Sequence, residues 1–367
     1  MRVLILGSHP ANSYSMLRYT ESLAAAYSRL GHSVKLLRPP ALISGSLRPG
    51  GFRKAVVYVE QLLVFPWIYA VEARRSELIH LADHSDAVWL LSLPRRLRQI
   101  VTCHDLVAVR AALGEIPEHR PAYSGRLYQF LVRCGLRRAS RIVAVSDATL
   151  ADVRRLIPRT PAGRIYNPIS NSIASADPTI TVEEPYALIV GSTGWRKRRD
   201  LGLRVWARVR TVAGLENLRL TIVGPPLEQH ELNLLLKNGI PLDHVTHFDG
   251  VTDAKVSELY ANALTLIQMS RYEGFCWPIL EANVFGVVAI CADEAVLRET
   301  GDGNVFVPAS LIGVDWMMIA DAVASADTKM ILAERARTFS EGAFDRDLSD
   351  LHRILAEPNG DKWRLSK

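Results

Sequence analysis

The feature that most constrains the fold is a strand–loop–helix–strand pattern in the second half of the chain. An apolar run over 263–268 predicts a buried parallel strand, and 270–275 follow it as a short loop. Pro278 suits the first turn of a helix, where a missing backbone N–H costs nothing. Gly286 is expected to end this helix, and Val287–Ile290 to form the next strand. This pattern is typical of an open, doubly wound α/β sheet.

Two carboxylates flank the start of this predicted helix. Glu273 lies in the loop before the helix, and Glu281 lies within it. Open α/β sheets bind ligands at the carboxyl ends of their strands, and the free amides of a helix N-terminus attract phosphate. Acidic side chains beside an anion site indicate a ligand that carries both hydroxyls and phosphate, such as a sugar nucleotide.

A second loop with the same character follows the predicted strand 186–190. It starts at Gly191, carries Arg196, Lys197 and Arg198, and opens a helix predicted over 201–212. A glycine-containing loop with basic residues at a helix N-terminus is typical of a phosphate site. The alternative is that these are solvated surface charges.

The length of 367 residues fits two domains, each large enough for its own core. We expect an N-terminal domain over 1–172 and a C-terminal domain over 183–345, joined by a linker over 170–183. A final helix over about 346–367 is expected to return to the first domain.

A helix predicted over 53–75 has basic residues at both ends and an aromatic, apolar centre. Such a helix can lie in a membrane interface or pack against the sheet of its own domain, and the sequence leaves both interpretations open. Pro66 is expected to kink or end it. Because no apolar run reaches about 18 uninterrupted residues, no membrane-spanning helix is expected.

Charge is divided unevenly along the chain. Residues 1–172 carry 24 Lys and Arg against 11 Asp and Glu, a balance of +13, and 173–367 carry 20 against 27, a balance of −7. The basic half indicates an anionic membrane or another polyanion as a partner, or simply a solvated basic surface. Nucleic acid is not an expected partner, because no binding motif is present.

Cysteine spacing bears on the compartment. The four cysteines show no CxxC or paired spacing, which favours a reduced, cytoplasmic chain over a disulfide scaffold or a zinc site. The N-terminal apolar run is interrupted by His9 and Pro10, too early for a signal peptide. We therefore expect a cytoplasmic location, with peripheral attachment at the inner face of the plasma membrane as the open alternative.

The second half of the chain resembles glycosyltransferase family 4, retaining enzymes of the GT-B fold. The family signature Glu-Gly-Phe-Gly-x-Pro-x-x-Glu stands here as Glu273–Glu281, with Cys276 in place of the second glycine. Further family-like segments are Phe248–Asp253, Leu259–Tyr260 and Gly286–Val288, and in the first half Gly31–Val34, Thr102–Asp105 and Ile142–Ser146.

The resemblance implies two Rossmann-like domains that face each other across a cleft, with the acceptor on the first and the nucleotide sugar on the second. The implied reaction moves a hexose-type sugar from a nucleotide donor, with retention, to a glycan or lipid-linked acceptor in bacterial surface polysaccharide assembly. The leaving diphosphate would take the acceptor proton, and neither a metal nor another cofactor is expected. A GT-B epimerase or phosphorylase is the alternative, and a nucleic-acid-binding protein a more distant one.

The resemblance also implies roles for individual residues on the donor side. Glu273 would contact the hydroxyls of the donor sugar, Glu281 would hold the ribose, and Lys197 would bind the diphosphate. The amides of Gly274, Phe275 and Cys276 would assist Lys197. His104, expected at the end of a strand in the first domain, would lie across the cleft near the donor sugar.

Departures from the family pattern concern three positions. Ser192 stands where the family often has a diphosphate-binding arginine, which Arg196 or Arg198 could replace. Cys276 could crowd or redirect the phosphate loop. The family's glycine pair in the first loop is replaced, so the cleft or acceptor contacts expected in the first domain come from Asn12, Ser13, Tyr14 and His84.

Asp345 and Asp347 look like the metal-binding triplet of another glycosyltransferase fold. They are predicted to precede the last helix rather than to follow a strand, so we interpret them as helix-capping residues and expect no metal site.

Overall fold

The computed structural model describes residues 1–10, 14–47, 50–174 and 184–356. The predictions for Asn12 and Ser13 lie outside the described residues. The chain divides into two compact units. Unit 1 is Met1–Pro168 together with the segment that begins at Glu341, and unit 2 is Ile169–Ser340.

The strands alternate with helices along almost the whole described chain. The strands are β1 Arg2–Leu6, β2 Ser33–Leu37, β3 Leu78–Leu81, β4 Arg98–Cys103, β5 Arg141–Ala144, β6 Ala162–Arg164, β7 Tyr186–Val190, β8 Arg219–Val223, β9 Val245–Phe248, β10 Thr265–Gln268, β11 Ala289–Ala292 and β12 Val305–Val307. The α-helices are α1 Tyr14–Arg29, α2 Gly51–Val59, α3 Phe65–Arg75, α4 Val107–Ala112, α5 Tyr123–Leu136, α6 Asp147–Leu156, α7 Asn171–Ala174, α8 Arg199–Val209, α9 Gln229–Lys237, α10 Asp253–Ala261, α11 Trp277–Val284, α12 Ala295–Thr300, α13 Trp316–Ala324, α14 Ala326–Arg337 and α15 Glu341–Ala356.

Each unit is built on a six-stranded parallel sheet. The strand order is β2-β1-β3-β4-β5-β6 in unit 1 and β12-β11-β10-β7-β8-β9 in unit 2. The central strands are buried on both faces, which explains their nearly continuous apolar sequences. The predicted α/β class with two doubly wound domains is confirmed.

The strand–loop–helix–strand pattern of the second half is also confirmed. Strand β10 ends at Gln268, helix α11 starts at Trp277, and Pro278 lies in its first turn. Gly286 follows the helix with φ of +71°, a left-handed conformation that glycine adopts without strain.

Helix α5 was not predicted, and its composition explains why. It contains Gly125 and Gly135, and glycine is unfavourable inside a helix by about 1 kcal/mol relative to alanine. At Gly135 a Cβ atom would lie 1.9 Å from the carbonyl oxygen of Ala87, so glycine is required for the helix to approach this backbone. Tertiary packing therefore overrides the local preference. Helix α9 and strand β6 were also missed.

The predicted helix over 53–75 is one continuous helix from Gly51 to Arg75, with a π-helical stretch over Glu60–Val64 between α2 and α3. Pro66 lies two residues after the end of this stretch, in the first turn of α3. Because proline has no N–H for the bond to the preceding turn, the wider π turn accommodates it, and the helix continues. Among the described residues this helix is the one long and apolar enough to cross a membrane, by length and composition alone.

The C-terminal helix differs from the prediction. Helix α15 begins at Glu341, so Asp345 and Asp347 lie inside it and do not cap it. Asp345 instead accepts hydrogen bonds from Nε and Nη2 of Arg29, at 2.6 and 2.8 Å, which tie α15 to α1. The described part of the chain contains no group of three side chains arranged to hold a metal ion.

The predicted linker over 170–183 is partly helical. Its first residues form α7, which belongs to unit 2, and 175–183 lie outside the described residues.

Candidate active site

In unit 2, the site lies where the order of the strands reverses. From β7 the chain adds β8 and β9 on one side, then returns to add β10, β11 and β12 on the other. Ligands in open α/β sheets bind at this switch point, beyond the carboxyl ends of the strands. Because β7 and β10 are parallel neighbours, the loops that follow them lie side by side.

Lys197 and Glu273 meet at this point. Lys197 Nζ donates to Glu273 Oε1 at 2.7 Å, and their side chains are 25% and 13% exposed. Burial alone would lower the pKa of Lys197, but the nearby Glu273 carboxylate outweighs it, so the pKa is raised. The loop thus holds a protonated amine that is partly accessible to a ligand.

The two loops are joined by backbone and side-chain contacts. The Arg271 N–H donates to the Arg196 carbonyl at 2.7 Å, and Arg196 Nη1 donates to the Tyr272 carbonyl at 3.3 Å. The rings of Trp195 and Tyr272 pack 5.7 Å apart. These contacts fix the position of Lys197 relative to Glu273.

Three residues of these loops have a left-handed backbone, which is uncommon outside glycine. Arg198 has φ of +48°, Tyr272 +61° and Cys276 +69°. Each such residue costs roughly 1–2 kcal/mol, which the surrounding contacts must offset. Strain of this kind is concentrated at functional sites.

Cys276 occupies the position before α11. Its left-handed backbone is one that glycine adopts freely, so the cysteine keeps the loop conformation at a cost in strain. The side chain is buried, and burial together with Glu273 raises the pKa of the thiol well above its ordinary value. The thiol therefore stays protonated near neutral pH and is a poor nucleophile.

Glu281 lies one turn into α11 and is 4% exposed. The Tyr260 hydroxyl, on α10, donates to Glu281 Oε2 at 3.0 Å. This hydrogen bond orients the carboxylate.

The arginines that follow Lys197 differ in their surroundings. Arg199 is buried and donates through Nε to Glu231 Oε1 at 2.7 Å, and also to the carbonyls of Pro225 and Pro226. It therefore supports the fold. Arg198 and Ser192 line a small cavity beside Lys197.

Unit 1 carries its own polar cluster at its switch point, between β1 and β3. Ser8, after β1, donates through Oγ to Asp83 Oδ2 at 3.3 Å, and the Ser85 N–H donates to Asp83 Oδ1 at 2.9 Å. His84 Nδ1 lies 3.3 Å from Asp83 Oδ1. Burial would raise the pKa of Asp83, but the contacts with His84 and Ser85 outweigh it and hold the pKa below the ordinary value.

His104 follows β4 and joins this cluster. Its Nε2–H donates to the Ala82 carbonyl at 3.0 Å, and its backbone N–H lies 3.3 Å from His84 Nδ1. The Tyr19 ring packs edge-on, with centroids 4.6 Å apart. Burial lowers the pKa of His104, so the imidazole is neutral at pH 7. Tyr14, in contrast, is 64% exposed at the start of α1.

Two family models cover most of the chain. The model described as "Glycosyl transferases group 1" matches residues 172–339, and the model described as "Glycosyltransferase Family 4" matches 16–172. The chain belongs to glycosyltransferase family 4.

One relative agrees with this glycosyltransferase in sequence, and two solved structures agree with it in fold. The O-antigen chain mannosyltransferase B of Escherichia coli is 26% identical over 299 residues, which cover 74% of this chain and 77% of the relative. Sucrose-phosphate synthase of Thermosynechococcus elongatus gives a TM-score of 0.72 at 18% identity, covering 97% of this chain and 99% of its own. HepE of Anabaena, solved with UDP and glucose, gives 0.69 at 15% identity, with coverages of 96% and 99%. The fold of this glycosyltransferase is therefore GT-B.

Sequence reasoning missed several polar residues of the glycosyltransferase's two switch points. Ser8 and Asp83 each lie two residues beyond a predicted or observed strand, so the position after a strand was an available signal. Tyr260 gave no such signal, because its contact with Glu281 depends on how α10 packs beside α11.

Proposed function

We propose that this glycosyltransferase moves a hexose-type sugar from a nucleotide donor to a glycan or lipid-linked acceptor, with retention, in the assembly of a surface polysaccharide. Unit 2 takes the donor and unit 1 takes the acceptor. The observation that carries the proposal is the Lys197–Glu273 pair on two joined loops at the unit 2 switch point.

The chemistry of the pair suits a sugar diphosphate. Lys197 is the cation that receives the diphosphate, and it stabilises the negative charge that grows as the glycosidic bond breaks. Glu273, freed from part of its contact with Lys197, accepts hydrogen bonds from vicinal hydroxyls of the sugar. Glu281, held by Tyr260, is suited to the ribose.

The acceptor proton passes to the leaving diphosphate in this proposal. Support comes from the partners of the two carboxylates at the unit 2 switch point: Glu273 is paired with the Lys197 cation, and Glu281 accepts a hydrogen bond from Tyr260. The nearby Cys276 thiol is protonated and is a poor nucleophile. In unit 1 the neutral His104 and the Asp83–His84 pair supply hydrogen-bonding groups for the acceptor. The reaction as proposed uses no metal and no other cofactor.

Donor identity is the part of the proposal that an experiment resolves first. The names of two relatives include a mannosyltransferase and a protein solved with UDP-glucose, so nucleotide-linked mannose and UDP-glucose head the candidates. A thermal-shift screen over nucleotide sugars should raise the melting temperature for one donor class. At a concentration about 100 times Kd, the bound donor stabilises by roughly 2.7 kcal/mol.

The alternative is a sugar-nucleotide epimerase or a phosphorylase of the same fold. Acceptor-dependent release of nucleoside diphosphate supports the transferase. Conversion of the donor without such release would instead favour the alternative. If no nucleotide sugar stabilised the protein and Lys197→Ala left every activity intact, the proposed site would be wrong.

A further inference from the structure

The outer surface of unit 1 carries an apolar stripe along the helix Gly51–Arg75. Among its outward-facing side chains, Phe52, Val59, Leu63, Trp67 and Val71 are each at least half exposed, and Trp67 is 82% exposed. The opposite face of the helix is anchored, since residues such as Phe65 and Tyr69 are buried in the unit 1 core. The helix thus carries apolar side chains on both its packed face and its solvent face, whereas an ordinary surface helix has a polar solvent face.

The π-helical stretch keeps these outward residues in one line. Positions four apart exceed one α-helical turn of 3.6 residues, so a long series at that spacing would drift around the helix. From Val59 to Leu63 the series crosses the stretch Glu60–Val64, whose wider turn takes up the excess. Leu63, Trp67 and Val71 therefore continue the stripe on the same side.

Helix α5 widens the stripe into a surface. The Tyr58 and Tyr128 rings pack 5.7 Å apart, so the two helices are neighbours. On α5, Tyr123, Leu127 and Phe130 follow helical spacing and are 87%, 59% and 55% exposed. We call the exposed apolar side chains of these two helices the apolar surface.

The unpaired charges at the apolar surface are of one sign. The helix Gly51–Arg75 carries two carboxylates: Glu60 is buried and accepts from the Ile43 N–H at 2.7 Å, and Glu72 is paired with Arg2 and Arg75 at 3.4 and 3.6 Å. Helix α5 has no acidic residue at all. Arg74 and Arg126 are exposed, and within the described residues neither forms an ion pair.

We propose that the apolar surface docks on an anionic phospholipid bilayer, with both helices lying in the interface plane. Its aromatic and aliphatic side chains enter the headgroup and acyl boundary, while Arg74 and Arg126 bind lipid phosphates. A second copy of this chain fits less well. A twofold contact through the same surface would set arginines against arginines, and the nearest carboxylate, Glu72, is already paired with Arg2 and Arg75.

Binding to vesicles does not depend on which sugar donor the protein uses, and it can be measured without an activity assay. The full chain is centrifuged with vesicles of phosphatidylglycerol and phosphatidylcholine in equal parts, and with phosphatidylcholine alone. We expect binding to the anionic vesicles that weakens as salt is raised, because the arginines contribute through charge.

Two paired variants separate the apolar and the charged contributions. Leu63→Ser with Trp67→Ser should lower the partition coefficient about tenfold or more, since two exposed apolar side chains lose their burial in the interface. Arg74→Gln with Arg126→Gln should lower it roughly fivefold per residue on anionic vesicles, and leave it unchanged on phosphatidylcholine. The matched control is Ile312→Ser with Ile331→Ser, two exposed apolar residues of unit 2, which should bind as the parent does.

Circular dichroism and the melting temperature check that each variant is folded, as expected for substitutions at exposed positions. The proposal is overturned if the parent chain does not bind anionic vesicles, or if the unit 2 control loses binding as strongly as the unit 1 variant. It is also overturned if the parent is a dimer in solution that Trp67→Ser converts to a monomer. A failed donor screen with intact vesicle binding would count against the proposed function alone.

Discussion

The two units place polar side chains at the same topological position, but in different physical states. At the unit 2 switch point, Lys197 and Glu273 are charged and partly exposed. At the unit 1 switch point, Asp83, His84 and His104 are buried and bonded to one another or to the backbone. The first arrangement can exchange its internal ion pair for a charged ligand, whereas the second offers the neutral imidazole of His104 and one carboxylate held by protein groups.

Backbone strain follows the same division. Among the described residues, the non-glycine residues with left-handed φ are Arg198, Tyr272, Cys276 and Leu311, and all of them lie in unit 2. Unit 1 builds its cluster with ordinary backbone and positions it by hydrogen bonds. The difference shows two ways to pre-organise a site on one sheet topology, one by strained loops and one by a buried network.

The largest expected effect concerns the charge of the unit 2 site. Lys197→Ala should reduce the rate of sugar transfer by about 10²–10³-fold, because a preorganised cation at the developing diphosphate charge is lost. Lys237→Ala, at an exposed lysine of the same unit, is the matched control and should leave the rate unchanged. Initial rates of nucleoside diphosphate release at saturating donor measure both. If Lys197→Ala and the parent had equal rates, the charge of the unit 2 switch point would have no role in transfer, and its proposed difference from the unit 1 switch point would be wrong.

The next effect concerns the buried histidines of unit 1. Burial, with a smaller contribution from His352, lowers the pKa of His80 to about 3, and His80 is hydrogen-bonded to Tyr27 and Thr102. In the unfolded chain this histidine takes up a proton near pH 6.5. Stability should therefore fall as pH drops from about 6.5 towards 3, by up to about 1.4 kcal/mol per pH unit from this one group.

Hydrogen exchange of strand amides, followed over this pH range, measures the stability of each unit separately. Protection in β3 and β4 should fall earlier than protection in β7 and β10. His80→Gln should flatten the acid dependence of unit 1, while His230→Gln, at an exposed histidine of unit 2, should not. Equal acid sensitivity of the two sheets would contradict the comparison.

The smallest expected effect concerns backbone strain at Cys276, in the loop that precedes α11. Cys276→Val should destabilise unit 2 by about 2 kcal/mol, because a β-branched side chain is strongly disfavoured at φ of +69°. Cys276→Gly should stay within about 1 kcal/mol of the parent, since relief of strain and loss of a buried side chain oppose each other. Protection of the β10 and β11 amides measures both variants, and a Val variant as protected as Gly would show that the loop is not strained.

Much of the fold could be predicted from the sequence because its signals are local. Helix α11, with Pro278 in its first turn and Gly286 after its end, followed from proline and glycine chemistry. Helix α5 could not be predicted, because its glycines disfavour a helix locally. The reason for Gly135 is the close approach of the Ala87 carbonyl, which is visible only in the tertiary structure. Helix α15 was predicted to begin near residue 346 rather than at Glu341, since its pairing with Arg29 joins residues 316 positions apart.

By itself, the sequence determined the two α/β units and the loop from Glu273 to Glu281, because strand burial and helix capping depend on residues close together in the chain. Only the tertiary structure decided that Lys197 meets Glu273, that Tyr260 holds Glu281, and that Arg199 supports the fold rather than the site. Those pairings depend on the order of strands in the sheet, which places β7 beside β10 although 74 residues separate them. The spacing of residues in the sequence does not show which strands are neighbours. The charged side chains could therefore be predicted from the sequence, but their partners could not.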